Sequence, residues 1–467
     1  MTTTKRTTSG LVLLLASLTA LGPLSIDLYL PALPDLSREL DAAASTIQLT
    51  LTACLVGLAL GQAIAGPLSD RYGRRRPLLI GVIAYAVTSV LCVVAPTAEF
   101  LVGARLSQGI AGGTAIVIAR AIVRDLYEGA AAARFFNTLM QVSGLAPILS
   151  PLVGGLLLQV TSWRGLFAVV TAVGVVLIVA VLRLPETNPA RTGTPMLRTL
   201  LHVARTPNFA GYALAGGLSF AAMFAYIAGS PFVLQDIHGL APVAFSLVFA
   251  ANGLGIILAG QISARLTRYS PRTLLATGLG VSLAGGVIAA AAIFAGLGLV
   301  TLLIGFFLIV SAIGLSMPNS VSLALSTGSA EVAGSASALL GLTHFVIGGL
   351  VAPLVGIAGP HDARPLAWTL VTLTAAAPVA YVLLSRRRPA EAGSPSAATD
   401  WPDHRSIRPE SRPGRSTPLD AGATRRAAGT IRDSPLRQGG FHEPPRPSVP
   451  RPDGRRRHHR RARHRLR

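Results

Sequence analysis

Eleven residues, Gly66-Pro67-Leu68-Ser69-Asp70-Arg71-Tyr72-Gly73-Arg74-Arg75-Arg76, gather an acid and four arginines between two uncharged runs. Ser45 to Leu68 carries no charge before the knot, and Leu78 to Pro96 carries none after it. Charge is costly in hydrocarbon, so such a knot belongs at a membrane surface, joining two spanning helices by a short turn. Gly73 suits a helix end where the backbone turns left-handed. Four arginines in one short loop mark the cytoplasmic side. A plain anchor loop would also be basic, but it leaves the ordered glycine and acid positions unexplained.

The rest of the chain agrees with a membrane body. Hydrophobic residues make up 51% of it and charged residues 13%, about half the charged share of a soluble domain. The net charge of +21 suggests nucleic acid at first. About half of the basic residues, however, follow Ser385, and most others sit in short loops, so no nucleic-acid partner is expected. Cys54 and Cys92 lie inside apolar runs and read as small buried residues. Lys5-Arg6 and the apolar run behind them resemble a secretory leader. The run continues past Pro23, carries Asp27 and lacks a clear cleavage site, so a retained first span is expected.

Twelve spans are expected. The first covers about 9–30, followed by a loop with Asp35, Arg38, Glu39 and Asp41. The fourth covers about 99–120, with Arg124-Asp125 in its exit loop. A bundle over 1–184, a cytoplasmic linker over 185–207 and a second bundle over 208–385 follow from these runs. Arg71-Tyr72 and Arg268-Tyr269, then Arg75 and Arg272, recur roughly 200 residues apart, as parallel six-span repeats would. Loop charge puts both termini on the cytoplasmic side of the cell membrane. Residues 386–467 are rich in Pro, Arg and Ser and cannot bury enough surface to fold. Two readings of them stand side by side: a disordered cytoplasmic tail that attracts anionic lipid, and a mis-called reading frame.

The opening string matches, position by position, the pattern Gly-x-Leu-small-Asp-basic-aromatic-Gly-Arg-Arg/Lys. It resembles the loop between the second and third spans of major facilitator superfamily transporters. The resemblance implies an all-α fold of twelve spans in two six-helix repeats. It also implies a gating role for Asp70, Arg71, Gly73 and Arg74, conformational rather than in contact with substrate. On physical grounds Asp70 would cap a helix N-terminus or pair with an arginine across that face.

Asp27 is the sharpest candidate for chemistry. An ionised carboxylate in hydrocarbon must face the bundle interior, pair, or take up a proton. A carboxyl that exchanges its proton near the working pH is what a reversible carrier requires. The alternative is an acid touching headgroup water at the outer end of its helix. The stretch Asp27-Leu28-Tyr29-Leu30-Pro31-Ala32-Leu33-Pro34 is similar to the first-span signature of the Bcr/CflA drug/proton antiporters. Arg105 cannot lose its proton, so within a span it needs an acceptor; snorkelling to the interface is the other reading. Leu101 to Gly109 looks like the family pattern Leu-x-x-x-Arg-x-x-Gln-Gly, which implies that Arg105 takes part in proton transfer. Ser150-Pro151-Leu152-Val153-Gly154-Gly155 looks like the antiporter motif Gly-Pro-x-x-Gly-Gly, with Ser150 in place of a glycine. Its prolines kink a helix and its glycines allow close packing.

Tyr29, Gln62, Gln108, Gln141, Tyr226, Asn252, Asn319 and His344 are polar groups inside spans. Tyr29, Gln108, Gln141, Tyr226, Asn252 and the aromatic Phe224 are the candidates for the cavity wall, although interhelical contact is the commoner role of such groups. The sequence shows no nucleotide loop, catalytic triad, metal-ligand cluster or redox cysteine pair. The expected function is therefore a monomeric, cofactor-free, proton-coupled exporter of small hydrophobic compounds, not an enzyme. A dedicated carrier of one metabolite shares the fold. A non-transporting receptor or scaffold built around the tail is the alternative of another class.

Overall fold

The computed structural model describes residues 3–127, 129–187, 207–327 and 333–385. Of the residues read as linker, 188–206 lie outside them, as does all of the tail, while Pro207 already belongs to a helix. Helices make up the described chain. In order they are α1 (Thr3–Asp27), a 3-10 turn (Leu30–Ala32), α2 (Leu33–Glu39), α3 (Ala44–Tyr72), α4 (Arg75–Val93), α5 (Ala98–Leu126), α6 (Gly129–Leu157) and α7 (Trp163–Leu182). Then come α8 (Pro207–Pro231), a π-helical turn (Phe232–Ile237), α9 (Pro242–Arg265), α10 (Pro271–Phe294), α11 (Gly298–Leu325), α12 (Ala333–Val355) and α13 (Arg364–Ser385). Among the described residues ten helical runs are long and apolar enough to cross a membrane, and α6 and α12 contain shorter apolar segments.

The first span differs from the expectation. It does not end near Leu30 but runs from Gly10 to Glu39, interrupted at Leu28-Tyr29. Pro31 is the cause. A proline cannot bond the carbonyl four residues back and its ring clashes with it, and that carbonyl belongs to Asp27, where α1 stops. Pro31 and Pro34 each occupy the first or second position of the next helical piece, where a missing N–H costs nothing. The two prolines therefore restart the helix. The fourth span is also longer than expected: Arg124 and Asp125 belong to the last turn of α5, not to a loop.

Packing repeats along the chain. In the first set, α1 to α7, helix α5 lies against α1, α3 and α4, while α4 also meets α7 and α1 meets α6. In the second set, α11 lies against α8, α9 and α10, while α10 meets α13 and α8 meets α12. The seam between α3 and α5 is backbone to backbone. A Cβ added at Gly57, Gly61, Gly109 or Gly113 would strike a carbonyl of the opposite helix, as small residues permit in lipid. Large apolar side chains cover the outside: Ile80, Val176, Val300 and Leu350 are each more than 60% exposed. A surface so apolar belongs in a bilayer.

The two sets are fastened at the end away from the charged knot. Gln48 Nε2 donates to the Ala228 carbonyl (3.0 Å), Thr52 Oγ1 to that of Gly349 (2.6 Å) and Gln235 Nε2 to that of Pro31 (3.1 Å). Ser246 Oγ donates to the Pro151 carbonyl (2.7 Å), and Arg38 lies 3.6 Å from Asp236.

Candidate functional site

The break at Leu28-Tyr29 organises the site. A helix end leaves its last carbonyls without partners, and in an apolar interior each of them needs one. The Ser25 carbonyl would bond Tyr29 N–H if α1 continued. Arg105 reaches it instead: Nη2 donates to Ser25 O at 2.6 Å. Its Nη1 donates to Gln108 Oε1. The guanidinium lies 4.5 Å from the Tyr29 ring centre and 5.5 Å from that of Phe167, so two aromatic faces share its charge. The side chain is 0% exposed. It does not snorkel.

Further bonds hold this arrangement. Gln108 Nε2 donates to Ser89 Oγ (2.7 Å), and Ser89 Oγ to the Tyr85 carbonyl (2.7 Å). The hydroxyls of Ser25 and Tyr85 meet at 2.6 Å, and those of Tyr29 and Thr50 at 2.8 Å. Helices α1, α3, α4, α5 and α7 thus all supply side chains to one break.

Asp27 is the last residue of α1, past the middle of the 30-residue run from Gly10 to Glu39 and 5% exposed. It is not at the end of that run. Among the described residues no hydrogen bond or ion pair reaches its carboxylate. It sits where α1 presents its negative dipole end, which disfavours a carboxylate there. Arg105, expected to find an acceptor, finds a carbonyl and an amide rather than this acid.

The α6 motif meets the same break. A Cβ at Gly154 would strike the Leu28 carbonyl oxygen, with the carbonyl carbon 3.0 Å away. A Cβ at Gly155 would strike Ser246 Oγ and come within 3.0 Å of the Pro242 carbonyl. Adjacent glycines therefore let α6 touch the interrupted first span on one side and α9 on the other. Ser150 and Pro151 are buried beside them.

At the knot, Gly73 takes φ +84°, a left-handed conformation that favours glycine. Arg74 is buried and donates to Asp70 Oδ1 (2.5 Å), Asp125 Oδ2 (2.8 Å) and Ser69 Oγ (2.8 Å). Burial alone would lower its proton affinity. The bonds to Asp125 and Asp70 outweigh that and raise it above the ordinary arginine value. Asp70 thus lies in the last turn of α3, paired within the first set, and not at a helix N-terminus. The start of α4 is capped by Glu186, which accepts from the backbone N–H of Arg74 (2.7 Å) and Arg75 (3.1 Å). Arg75 Nη2 returns a bond to the Leu182 carbonyl at the end of α7 (2.6 Å). Arg71 is exposed and lies over the ring of Tyr72.

Of the proposed cavity residues, Tyr29 and Gln108 are committed to Arg105. Asn252 Nδ2 donates to Tyr226 Oη (2.7 Å), both buried among Phe249 and Phe306. Phe224 is buried and stacks on Phe220. Gln141 is exposed on α6. Sequence reasoning missed Ser25, Tyr85, Ser89, Phe167, Glu186 and Ser246. No motif marks them, because each acts through a neighbour that only the packing supplies.

A sequence profile of the Major Facilitator Superfamily matches residues 15–353. The uncharacterized MFS-type transporter YdgK of Bacillus subtilis is 39% identical over 357 residues, covering 74% of this chain and 89% of the relative. The bicyclomycin resistance protein homolog of Haemophilus influenzae is 27% identical over 390 residues, covering 82% and 98%. Among solved structures, a bacterial homolog of the human lysosomal transporter Spinster, inward-facing and unoccupied, superposes with a TM-score of 0.63 at 17% identity. That match covers 81% of this chain and 95% of the other.

Proposed function

The chain belongs to the Major Facilitator Superfamily, and from that premise we propose that it is a proton-coupled exporter of small, mostly hydrophobic drugs. It is a multi-pass membrane transporter of small molecules, not an enzyme. In the proposed form it has twelve spans in two six-helix sets, sits in the inner membrane as a monomer and keeps both termini in the cytoplasm. With the knot on the cytoplasmic side, the fastened end faces outward and the cargo path opens inward. The resistance name of the Haemophilus relative supports a drug as cargo. The coupling ion is a proton, and no bound cofactor takes part.

One observation carries this reading: a carboxylate buried midway through the first span, without a counter-ion, two residues along the chain from the Ser25 carbonyl that holds the permanently charged Arg105. Protonated, Asp27 is neutral and suits its place at the end of α1. Deprotonated, it needs a cation, and the Ser25 carbonyl that holds Arg105 is two residues back along the same broken end. The acid and the Ser25 carbonyl then compete for one guanidinium. If Arg105 turns to Asp27, the Ser25 carbonyl loses its partner and the break must rearrange. Proton release is thereby linked to a movement of the segment 30–39, which touches the second set through Pro31 and Arg38. A proton taken up from outside would release the drug, and one lost inside would admit the next.

The test is export in proteoliposomes under an imposed pH gradient with a panel of hydrophobic drugs. Asp27→Asn is expected to abolish gradient-driven movement while leaving downhill exchange. Undiminished gradient-driven movement in that variant would remove Asp27 from the coupling.

A further inference from the structure

Helices α8, α11 and α12 contain no Asp, Glu, Lys or Arg. Beyond the phenols of Tyr212 and Tyr226, their one titratable side chain is His344, near the middle of α12. It is 4% exposed. Its ring stacks on Phe220 of α8, with centres 5.8 Å apart and planes 24° from parallel. Its Nε2 is buried and has no hydrogen-bond partner among the described residues.

The seat is built around a missing side chain. A Cβ at Gly216 of α8 would lie 2.5 Å from Ser320 Oγ of α11 and 3.2 Å from His344 Nε2. Glycine at that position lets a hydroxyl and a ring nitrogen from two other helices converge on α8. Ser320 Oγ donates to the Met317 carbonyl (3.0 Å), so its lone pairs remain free to accept. A buried nitrogen left without a partner costs free energy.

We propose that His344 is a second proton-binding site, placed in the second set of helices, and that its protonation disfavours the arrangement seen here, in which the two sets are fastened at the end away from the knot. Here the neutral ring lies on Phe220, between α8 and α11. An imidazolium in the same place would bring a charge into an apolar seat that offers no carboxylate. Helix α3 also packs on α12, and its charged groups, Asp70 and Arg71, are at the knot. Helix α13 packs there too, with Arg364 at its first residue and Tyr381 near its last. Among the described residues none of these groups bonds the ring at Nε2. Protonation therefore favours any arrangement in which α12 shifts to hydrate Nε2 or bring it onto Ser320, and acid shifts the population that way. This site is separate from Asp27 and does not depend on that residue carrying the transported proton.

The experiment measures the distance between spin labels on Arg76→Cys and Thr267→Cys, both at exposed knot-end positions. The protein is the full chain with Cys54→Ala and Cys92→Ala, in lipid nanodiscs without drug. From pH 8 to pH 5 the population with a long label distance is expected to fall about threefold. His344→Gln and His344→Phe, the latter keeping a ring on Phe220, are expected to lose that response. Asp27→Asn is expected to keep it. A full response in both His344 variants, or its complete loss in Asp27→Asn, would overturn the proposal. Two His344 variants of different shape guard against one that does not fold.

Discussion

Arg105 donates to the carbonyl of Ser25 and not to the carboxylate of Asp27 two residues further on. The guanidinium closes a helix end that Pro31 has opened, and the acid stays buried without a partner. One permanently charged side chain is thus spent on a main-chain oxygen, two residues from an acid that has no counter-ion.

Arg105→Lys keeps the charge and loses the fork. An ammonium cannot bond Ser25 O and Gln108 Oε1 with the same planar geometry. Gradient-driven transport is expected to fall at least about tenfold, with a stability loss of about 1–3 kcal/mol. Transport assays beside thermal unfolding of the purified protein separate the two effects. Wild-type transport in this variant would mean that charge alone suffices.

Gly154→Ala places a methyl group against the Leu28 carbonyl, whereas Gly144→Ala on the same helix meets nothing within 4 Å. The first is expected to cost about 1–3 kcal/mol through overpacking and to reduce transport strongly. The second is expected to be neutral or slightly stabilising. Matched expression levels and melting curves for the pair give the comparison.

Asp125→Asn removes one of the two carboxylates that hold Arg74. A loss of about 1–3 kcal/mol is expected, smaller for Asp70→Asn because Asp70 is the more exposed partner. The Arg74 contribution is present below the ordinary arginine value and fades only as pH rises through its raised folded-state value. Both lie above the working range. The difference in melting temperature between Arg74→Ala and the parent should therefore be constant from pH 6 to pH 9. A difference that varies across that range would contradict the assigned network.

Glu186→Ala removes the cap from the start of α4. The expected cost is about 1 kcal/mol, seen as faster hydrogen exchange at the backbone N–H of Arg74 and Arg75. Glu186→Gln, which still accepts a hydrogen bond, should recover part of it. Equal exchange in parent and Glu186→Ala would show that the cap is not formed in solution.

The knot was legible because its meaning is local: a glycine at positive φ and arginines beside an acid within five residues. The long apolar runs were legible for the same reason. The depth of Asp27 was not. Pro31 and Pro34 carry one local signal, a helix interruption, and the chain resumes as a helix after it because both prolines fit a first turn. The partner of Arg105 was hidden for a related reason, since the Ser25 carbonyl is free only once the break exists. Glu186 lies more than a hundred residues from the two N–H groups it caps, and no periodicity points across that distance.

The bonds that close the far end share one habit: Gln48, Thr52, Gln235 and Ser246 all donate to main-chain oxygens, of Ala228, Gly349, Pro31 and Pro151. An oxygen of that kind survives almost any exchange of the side chain beside it. The seal at that end can thus keep working while the residues around it drift, which leaves a lineage free to retune what it carries without relearning how to shut.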